Sequence, residues 1–169
     1  MEVLVNNKYK LKDDDINEVV RRVKVLLVNS KNEMLLGYSH NTYQFIGGHV
    51  EDEDFASAIN REVKEETGIE LKGNNYSPFA TLYGYYKDWP KKGVNRKTEI
   101  YYYEVKTDET PRLENTNYTE NEKEGNFELR YIKLDDLIME INNNAIIYDD
   151  AKGIAKEMLD LLQIYFKNK

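Results

Sequence analysis

The chain has no cysteine and only three prolines in 169 residues. Without cysteine it can form neither a disulfide framework nor a thiolate metal site. No apolar run approaches the length of a membrane span, and residues 1–15 lack the apolar segment of a signal peptide. These absences favour a cytoplasmic protein with no membrane partner.

An excess of positive charge is also missing, since the formal net charge is −7. A protein that binds a nucleic acid polymer normally carries a basic face, so this balance disfavours such a partner. It does not exclude a small phosphorylated substrate, because a cation and a few local basic side chains can neutralise a diphosphate. With 40% hydrophobic and 33% charged residues, residues 1–169 are expected to form a single globular domain.

Residues 47–69 form the stretch around which the chain is organised. Asp54 is suited to the N-cap of a helix, and Gly68 is suited to its end because glycine tolerates left-handed backbone. Between them, apolar side chains recur at helical spacing along one face, namely Phe55, Ala58, Ile59 and Val63. The pattern predicts a helix that opens after a glycine pair and closes on a glycine.

The same helix places Glu62, Glu65 and Glu66 on a neighbouring face. Like charges at this spacing destabilise an isolated helix, and a hard divalent cation would remove that cost. Mg²⁺ takes a few carboxylate oxygens and completes its shell with water and substrate phosphate oxygens. The alternative is an ordinary solvated helix face, in which Arg61 and Glu65 form an i,i+4 pair.

In order and spacing, this stretch resembles the Nudix box, the signature of hydrolases that act on nucleoside diphosphates linked to another group. The box positions are filled by Gly47, Glu53, Arg61, Glu62, Val63, Glu65, Glu66, Gly68 and Ile69. Two features depart from the common pattern: Ile46 stands where many members have proline, and the loop between Gly48 and Asp54 is one residue shorter. An isomerase on the same fold would need more metal ligands than a chain with two histidines and no cysteine provides.

The resemblance implies that Glu62, Glu65 and Glu66 hold Mg²⁺ or Mn²⁺, with a carbonyl of Gly48 (or of its neighbour) as a further ligand. Arg61 is then expected to orient a neighbouring glutamate through a charge-assisted hydrogen bond.

The general base is sought among carboxylates within reach of the attacking water. Glu53 and Glu65 are the candidates inside the box and are preferred. In some relatives the base lies on a later loop, where this chain carries Glu120, Glu122 and Glu124. The histidines at positions 40 and 49 are more typical of surface residues.

Residues for the substrate are expected after the box. Trp89 could stack on a base, with Lys91 and Arg96 on a phosphate. Tyr85 lies at about the distance from the box where relatives that cleave dinucleoside polyphosphates carry a tyrosine. The alternative is that this loop is simply the solvated tip of a hairpin. Arg22 and Lys24 of the first long strand could also face the cleft.

Apolar and β-branched runs predict a short strand near the N-terminus. They predict further strands at 22–29, 33–38, 43–46, 79–86, 98–105 and 127–134. Helices are predicted from Asp13 to Val20, at 135–141 and at 149–166, with Asn142–Asn144 as a break. Residues 1–20 are interpreted as an N-terminal extension. This order predicts an α/β fold, a Nudix-type α/β/α sandwich with a mixed β-sheet between helices.

The leading hypothesis is therefore a Mg²⁺-dependent pyrophosphohydrolase for a nucleoside triphosphate, dinucleoside polyphosphate or nucleotide sugar. The alternative is a Nudix-like module that binds a nucleotide, or regulates through it, without cleaving it. Residues 101–103 are an aromatic run that could form the edge of a homodimer or part of an ordinary sheet.

Overall fold

The computed structural model describes residues 1–169 and is built around one sheet of seven strands. The strands are β1 (Glu2–Asn6), β2 (Glu18–Val28), β3 (Glu33–Ser39), β4 (Thr42–Gln44), β5 (Ala80–Tyr86), β6 (Arg96–Lys106) and β7 (Glu128–Lys133). The helices are α1 (Phe55–Thr67), α2 (Glu120–Glu124), α3 (Leu137–Ile147) and α4 (Lys152–Lys167). Short 3-10 turns lie at Asp13–Asp15, Leu113–Asn115 and Asp149–Ala151.

The sheet is mixed, with strand order β1-β5-β6-β2-β3-β4 and β7 paired to β3. Its centre is the parallel pairing of β2 with β6, which runs from Glu18 opposite Arg96 to Val28 opposite Lys106. Strands β5 and β6 are antiparallel, as expected for a hairpin around residues 87–95. The long β2 therefore crosses the middle of the molecule and carries side chains to both faces of the sheet.

Each face of the sheet has its own apolar core. Helix α1 covers one face, where Val23 and Val25 of β2 pack with Ile59 and Val63. Helices α3 and α4 cover the other face, where Leu26 of β2 packs among their side chains. The expected α/β/α arrangement is confirmed. None of the helices is long and apolar enough to span a membrane.

Two helix predictions were wrong, each for a tertiary reason. The predicted helix from Asp13 to Val20 is a single 3-10 turn, because Glu18–Val20 pair with β6 as the start of β2. The predicted break at Asn142–Asn144 lies inside α3, where the Asn144 side chain donates to the Asn41 carbonyl and accepts from the Tyr38 hydroxyl. In the segment expected as an extension, residues 2–6 form β1, the edge strand parallel to β5.

Candidate active site

A tight loop between β4 and α1 forms the base of the site. Gly47 has a φ of 122°, and a Cβ there would lie 2.3 Å from the Val23 carbonyl oxygen. Only glycine fits both conditions. The Gly47 N–H donates to the Glu66 carboxylate at 3.0 Å, and a Cβ on Gly48 would lie 2.6 Å from a Glu62 oxygen. The glycine pair thus lets the backbone lie directly against two carboxylates of the helix.

Helix α1 presents these carboxylates because its ends are fixed. Asp54 caps the first turn by accepting from the Ser57 N–H at 2.8 Å, and Gly68 ends the helix with a φ of 72°. The carbonyls of Glu65 and Thr67 in the last turn accept from backbone N–H groups of the segment after β6, at positions 117 and 112. The helix end is therefore closed by the same loop that later borders the site.

Arg61 holds three glutamates at once. Its guanidinium donates to Glu53 at 2.6 and 3.0 Å, to Glu62 at 2.8 Å and to Glu65 at 3.1 Å, and it also reaches the His49 carbonyl at 2.8 Å. Hydrogen bonds to Glu53 are the main reason that the pKa of Arg61 is raised. The planar fork of arginine suits this arrangement, which a lysine could not reproduce. The geometry is that of a residue that positions carboxylates.

Two of the glutamates are strongly buried. Glu62 is 8% exposed and Glu66 is 5% exposed. Burial raises the pKa of Glu62, against the opposing effect of Arg61, and raises the pKa of Glu66 to about 8, against the nearby charge of Lys24. Two carboxylates that are this costly to ionise are typical of a functional site rather than of a solvated helix face.

A cavity of about 590 Å³ lies over the loop and the helix. Glu62, Glu65 and Glu66 of α1 line it, and so does Glu122 of α2. The Glu122 carboxylate is fixed by the Thr119 N–H at 2.7 Å as part of a capping box. One polar cavity therefore gathers carboxylates from two separate segments.

A lysine from β2 reaches the same loop. The Lys24 ammonium is partly buried and donates to the Phe45 carbonyl at 2.9 Å and to the Gly47 carbonyl. Burial lowers the pKa of Lys24, while Glu66 opposes that shift. The other glycine carbonyl, that of Gly48, accepts from the Val23 N–H at 3.0 Å. Both carbonyls considered as metal ligands thus have hydrogen-bond partners within the protein.

The donor set of the cavity fits a hard divalent cation in its chemistry, since it consists of carboxylate and backbone carbonyl oxygens. Because Gly48 has no side chain, the Glu62 carboxylate can lie directly against the loop, in the space that a Cβ would fill. No three acidic or histidine side chains are arranged to hold an ion. Arg61 turns Glu62 and Glu65 towards itself, and the Gly47 N–H holds Glu66. An incoming cation would have to compete with these hydrogen bonds.

Comparison with known proteins agrees with the residue pattern. The model for the NUDIX domain matches residues 18–151. The chain belongs to the Nudix family. This confirms the expected family and the expected class of enzyme, a Nudix pyrophosphohydrolase. No curated protein matches the chain.

Several solved structures share this Nudix fold. A MutT protein from Bacillus halodurans has a TM-score of 0.53 and 20% identity over 71% of this chain and 72% of its own. An Ap4A hydrolase from C. elegans has a TM-score of 0.53 and 19% identity over 88% of this chain and 96% of its own. The ORF135 protein of E. coli has a TM-score of 0.51 and 18% identity over 76% of this chain and 83% of its own. At these identities the similarity concerns the fold alone.

The structure separates the residues predicted to bind substrate in this Nudix protein. Trp89 and Arg96 line a second cavity that adjoins the first. Tyr85 lines neither of the two, since its hydroxyl donates to Asp13 on the other side of the sheet. Lys91 also lines neither. Of the four residues, the fold brings two together next to the box.

Strand β2 contributes two basic residues to the site, as the sequence indicated it could. Arg22 and Lys24 lie among apolar residues of a buried strand, and both line the box cavity. Because they stand at alternate positions of the strand, their side chains lie on the same face of the sheet. His49 belongs with them, because its ring nitrogen lies 3.1 Å from the Arg22 guanidinium. Burial, followed by the charge of Arg22, lowers the pKa of His49.

Proposed function

We propose that this Nudix protein hydrolyses a diphosphate bond in a nucleoside diphosphate-linked substrate, with Mg²⁺ or Mn²⁺ as cofactor. The observation that carries the proposal is the cavity in which Glu62, Glu65, Glu66 and Glu122 converge on the glycine loop. When bound, the divalent ion neutralises phosphate oxygens and assists the attack of water. The small size of the cavity fits a nucleotide rather than a polymer.

The side chains have distinct tasks in this proposal. Glu62 and Glu66 supply the ligands, with a glycine carbonyl of the loop, and Glu65 is either a third ligand or the general base. Arg61 is a positioning residue, because its guanidinium is occupied by three carboxylates and a carbonyl. Glu53 acts through Arg61, to which it is bound at 2.6 Å, and is poorly placed to accept a proton from water.

Glu65 and Glu122 are then the two candidates for the general base. Glu65 is the most exposed carboxylate held by Arg61, with a side chain 33% exposed, and lines the cavity. Glu122 of α2 lines the same cavity. Single substitutions to glutamine separate the two candidates. The base is the one whose loss reduces kcat while affinity for Mn²⁺ is retained.

The main test is phosphate and nucleotide release from a panel of substrates with and without Mg²⁺ or Mn²⁺. The panel holds nucleoside triphosphates, ADP-ribose, dinucleoside polyphosphates and nucleotide sugars. Glu66→Gln should abolish metal-dependent release. Glu70→Gln is the matched control, because Glu70 is exposed, pairs with Lys64 and lies outside the cavity. Equal turnover in both variants would remove Glu66 from the site.

One observation favours a second candidate, a nucleotide-binding module without hydrolysis. The Lys24 ammonium already lies against the Gly47 carbonyl, which is where a cation from solution would be expected. Under this alternative no substrate of the panel is cleaved with either metal, although the nucleotide still binds. Lys24→Met then tests the cause, because it frees the carbonyl and should restore metal-dependent release only if Lys24 had blocked it.

A further inference from the structure

A second cavity of about 250 Å³ continues from the box cavity along β2. The two share Arg22, Lys24 and Gln44, with Ile154 at the start of α4. A molecule bound at the box carboxylates can therefore extend into it without leaving the protein surface.

The shared wall is made by one face of β2. Leu26 and Val28 lie on the covered face of the sheet against the helices. Two and four residues earlier, the same face carries Lys24 and Arg22. The strand thus changes from apolar to cationic where the cavity begins.

The Arg22 side chain has no carboxylate partner. Its Nε is buried without a hydrogen bond, and its other contact is the ring nitrogen of His49. The acidic residues nearby are engaged elsewhere, since Glu18 pairs with Arg96 and Glu157 accepts from the Tyr102 hydroxyl at 2.7 Å. A partly buried guanidinium with an unused donor calls for an anion.

The far wall of the second cavity is aromatic. The centroid of the Trp89 ring lies 5.5 Å from the centroid of the Tyr86 ring. It lies 4.6 Å from the central carbon of the Arg96 guanidinium. Trp89 remains 49% exposed, so one face can still accept a planar group. Stacking on an exposed indole suits every nucleobase.

We propose that the second cavity binds the nucleoside end of the substrate and that Arg22 binds a phosphate beyond the two held at the box. This inference rests on the proposed function and narrows its substrate class to nucleosides carrying three or more phosphates. Nucleotide sugars and ADP-ribose have two phosphates, and both would be engaged at the carboxylate site. They leave Arg22 without its anion.

Trp89 allows a direct test, because it is the only tryptophan of the chain. Its emission is titrated with a β,γ-imido nucleoside triphosphate and with an α,β-methylene diphosphate, both in Mg²⁺. Both should change the emission, and the triphosphate should bind more tightly. Arg22→Gln should weaken triphosphate binding roughly tenfold or more and leave diphosphate binding nearly unchanged, as for a lost charge-assisted hydrogen bond.

Arg21→Gln is the matched control, since Arg21 is the next residue on the opposite face, 57% exposed and paired with Glu99. It should keep the wild-type preference. Equal affinity for the two analogues in the unaltered chain overturns the proposal, even if the Arg22 variant does not fold. If calorimetry shows that the analogue saturates the protein and the Trp89 emission is still unchanged, the proposal is also overturned. Failure of the proposed function gives a different result: emission responds and the preference holds, but no phosphate is released.

Discussion

Replacing Glu66 by glutamine should stabilise the metal-free protein while removing its activity. The Glu66 carboxylate is 5% exposed, forms no ion pair and accepts one hydrogen bond, from the Gly47 N–H. Burial raises its pKa to about 8 from an ordinary value of 4.5. Glutamine keeps the volume and an acceptor oxygen but cannot ionise, so the variant loses the cost of a buried acid.

The magnitude follows from linkage between proton binding and folding. Below pH 4.5 both the native and the unfolded chain hold the proton, so Glu66 has little effect. Between pH 4.5 and about 8 the native chain holds more protons than the unfolded chain, and the free energy of unfolding falls as pH rises. At about 1.4 kcal/mol per pH unit, the cost reaches ~3 kcal/mol at pH 7. Above pH 8 it levels off.

Urea unfolding in a chelator at pH 5, 6, 7 and 8 measures this effect. We expect Glu66→Gln to be more stable than the wild type by ~3 kcal/mol at pH 7. The variant should also lack the fall in the free energy of unfolding that Glu66 causes as the pH rises. Added Mg²⁺ should stabilise the wild type increasingly with pH, since binding requires the ionised carboxylate. A variant that is less stable at pH 7, or that keeps the full slope, would refute the reasoning. Glu70→Gln serves again as control.

Three further substitutions test the loop and the helix. Arg61→Lys keeps the charge but loses the fork that holds three carboxylates. The value of kcat/KM should therefore fall about 10–100-fold, with an unchanged circular dichroism spectrum. Turnover at the wild-type rate would contradict the role of Arg61 in positioning the carboxylates. Gly48→Ala places a Cβ 2.6 Å from a Glu62 oxygen and should weaken Mn²⁺ binding with little loss of stability, as calorimetry and thermal melts would show. Gly68→Ala forces a left-handed alanine and a Cβ 1.8 Å from the Arg112 carbonyl oxygen, so the free energy of unfolding should drop by at least about 1–2 kcal/mol. An unchanged urea midpoint would show that the helix end is not needed.

Local signals made the box helix predictable. Its cap, its apolar stripe and its terminal glycine lie within one stretch, and the structure gives a helix at Phe55–Thr67. The cluster of Glu62, Glu65 and Glu66 follows from helix geometry alone. The hydrogen bonds of Arg61 to Glu53 and to the His49 carbonyl depend on how the short loop folds, and spacing does not give that.

Features that depend on pairing distant segments were harder to predict. The sequence indicated only that Arg22 and Lys24 could face the cleft, whereas the parallel pairing of β2 and β6 turns this face of β2 towards the cavity. Among the three glutamates of the later loop, only Glu122 completes a capping box with Thr119, a sequence signal that could have identified it. Tyr85 and Trp89 are four residues apart, yet they lie on different sides of the sheet.

The segment that closes the end of α1 links the two halves of the cavity. Backbone N–H groups of Arg112 and Asn117 satisfy the carbonyls of Thr67 and Glu65, and the chain then continues directly into α2, which carries Glu122. Detaching this segment would leave the last turn of the helix frayed beside Glu66. Both sets of carboxylates should therefore open as one cooperative unit, and the amides of Arg112 and Asn117 should exchange with deuterium at the rate of the helix rather than of a loop.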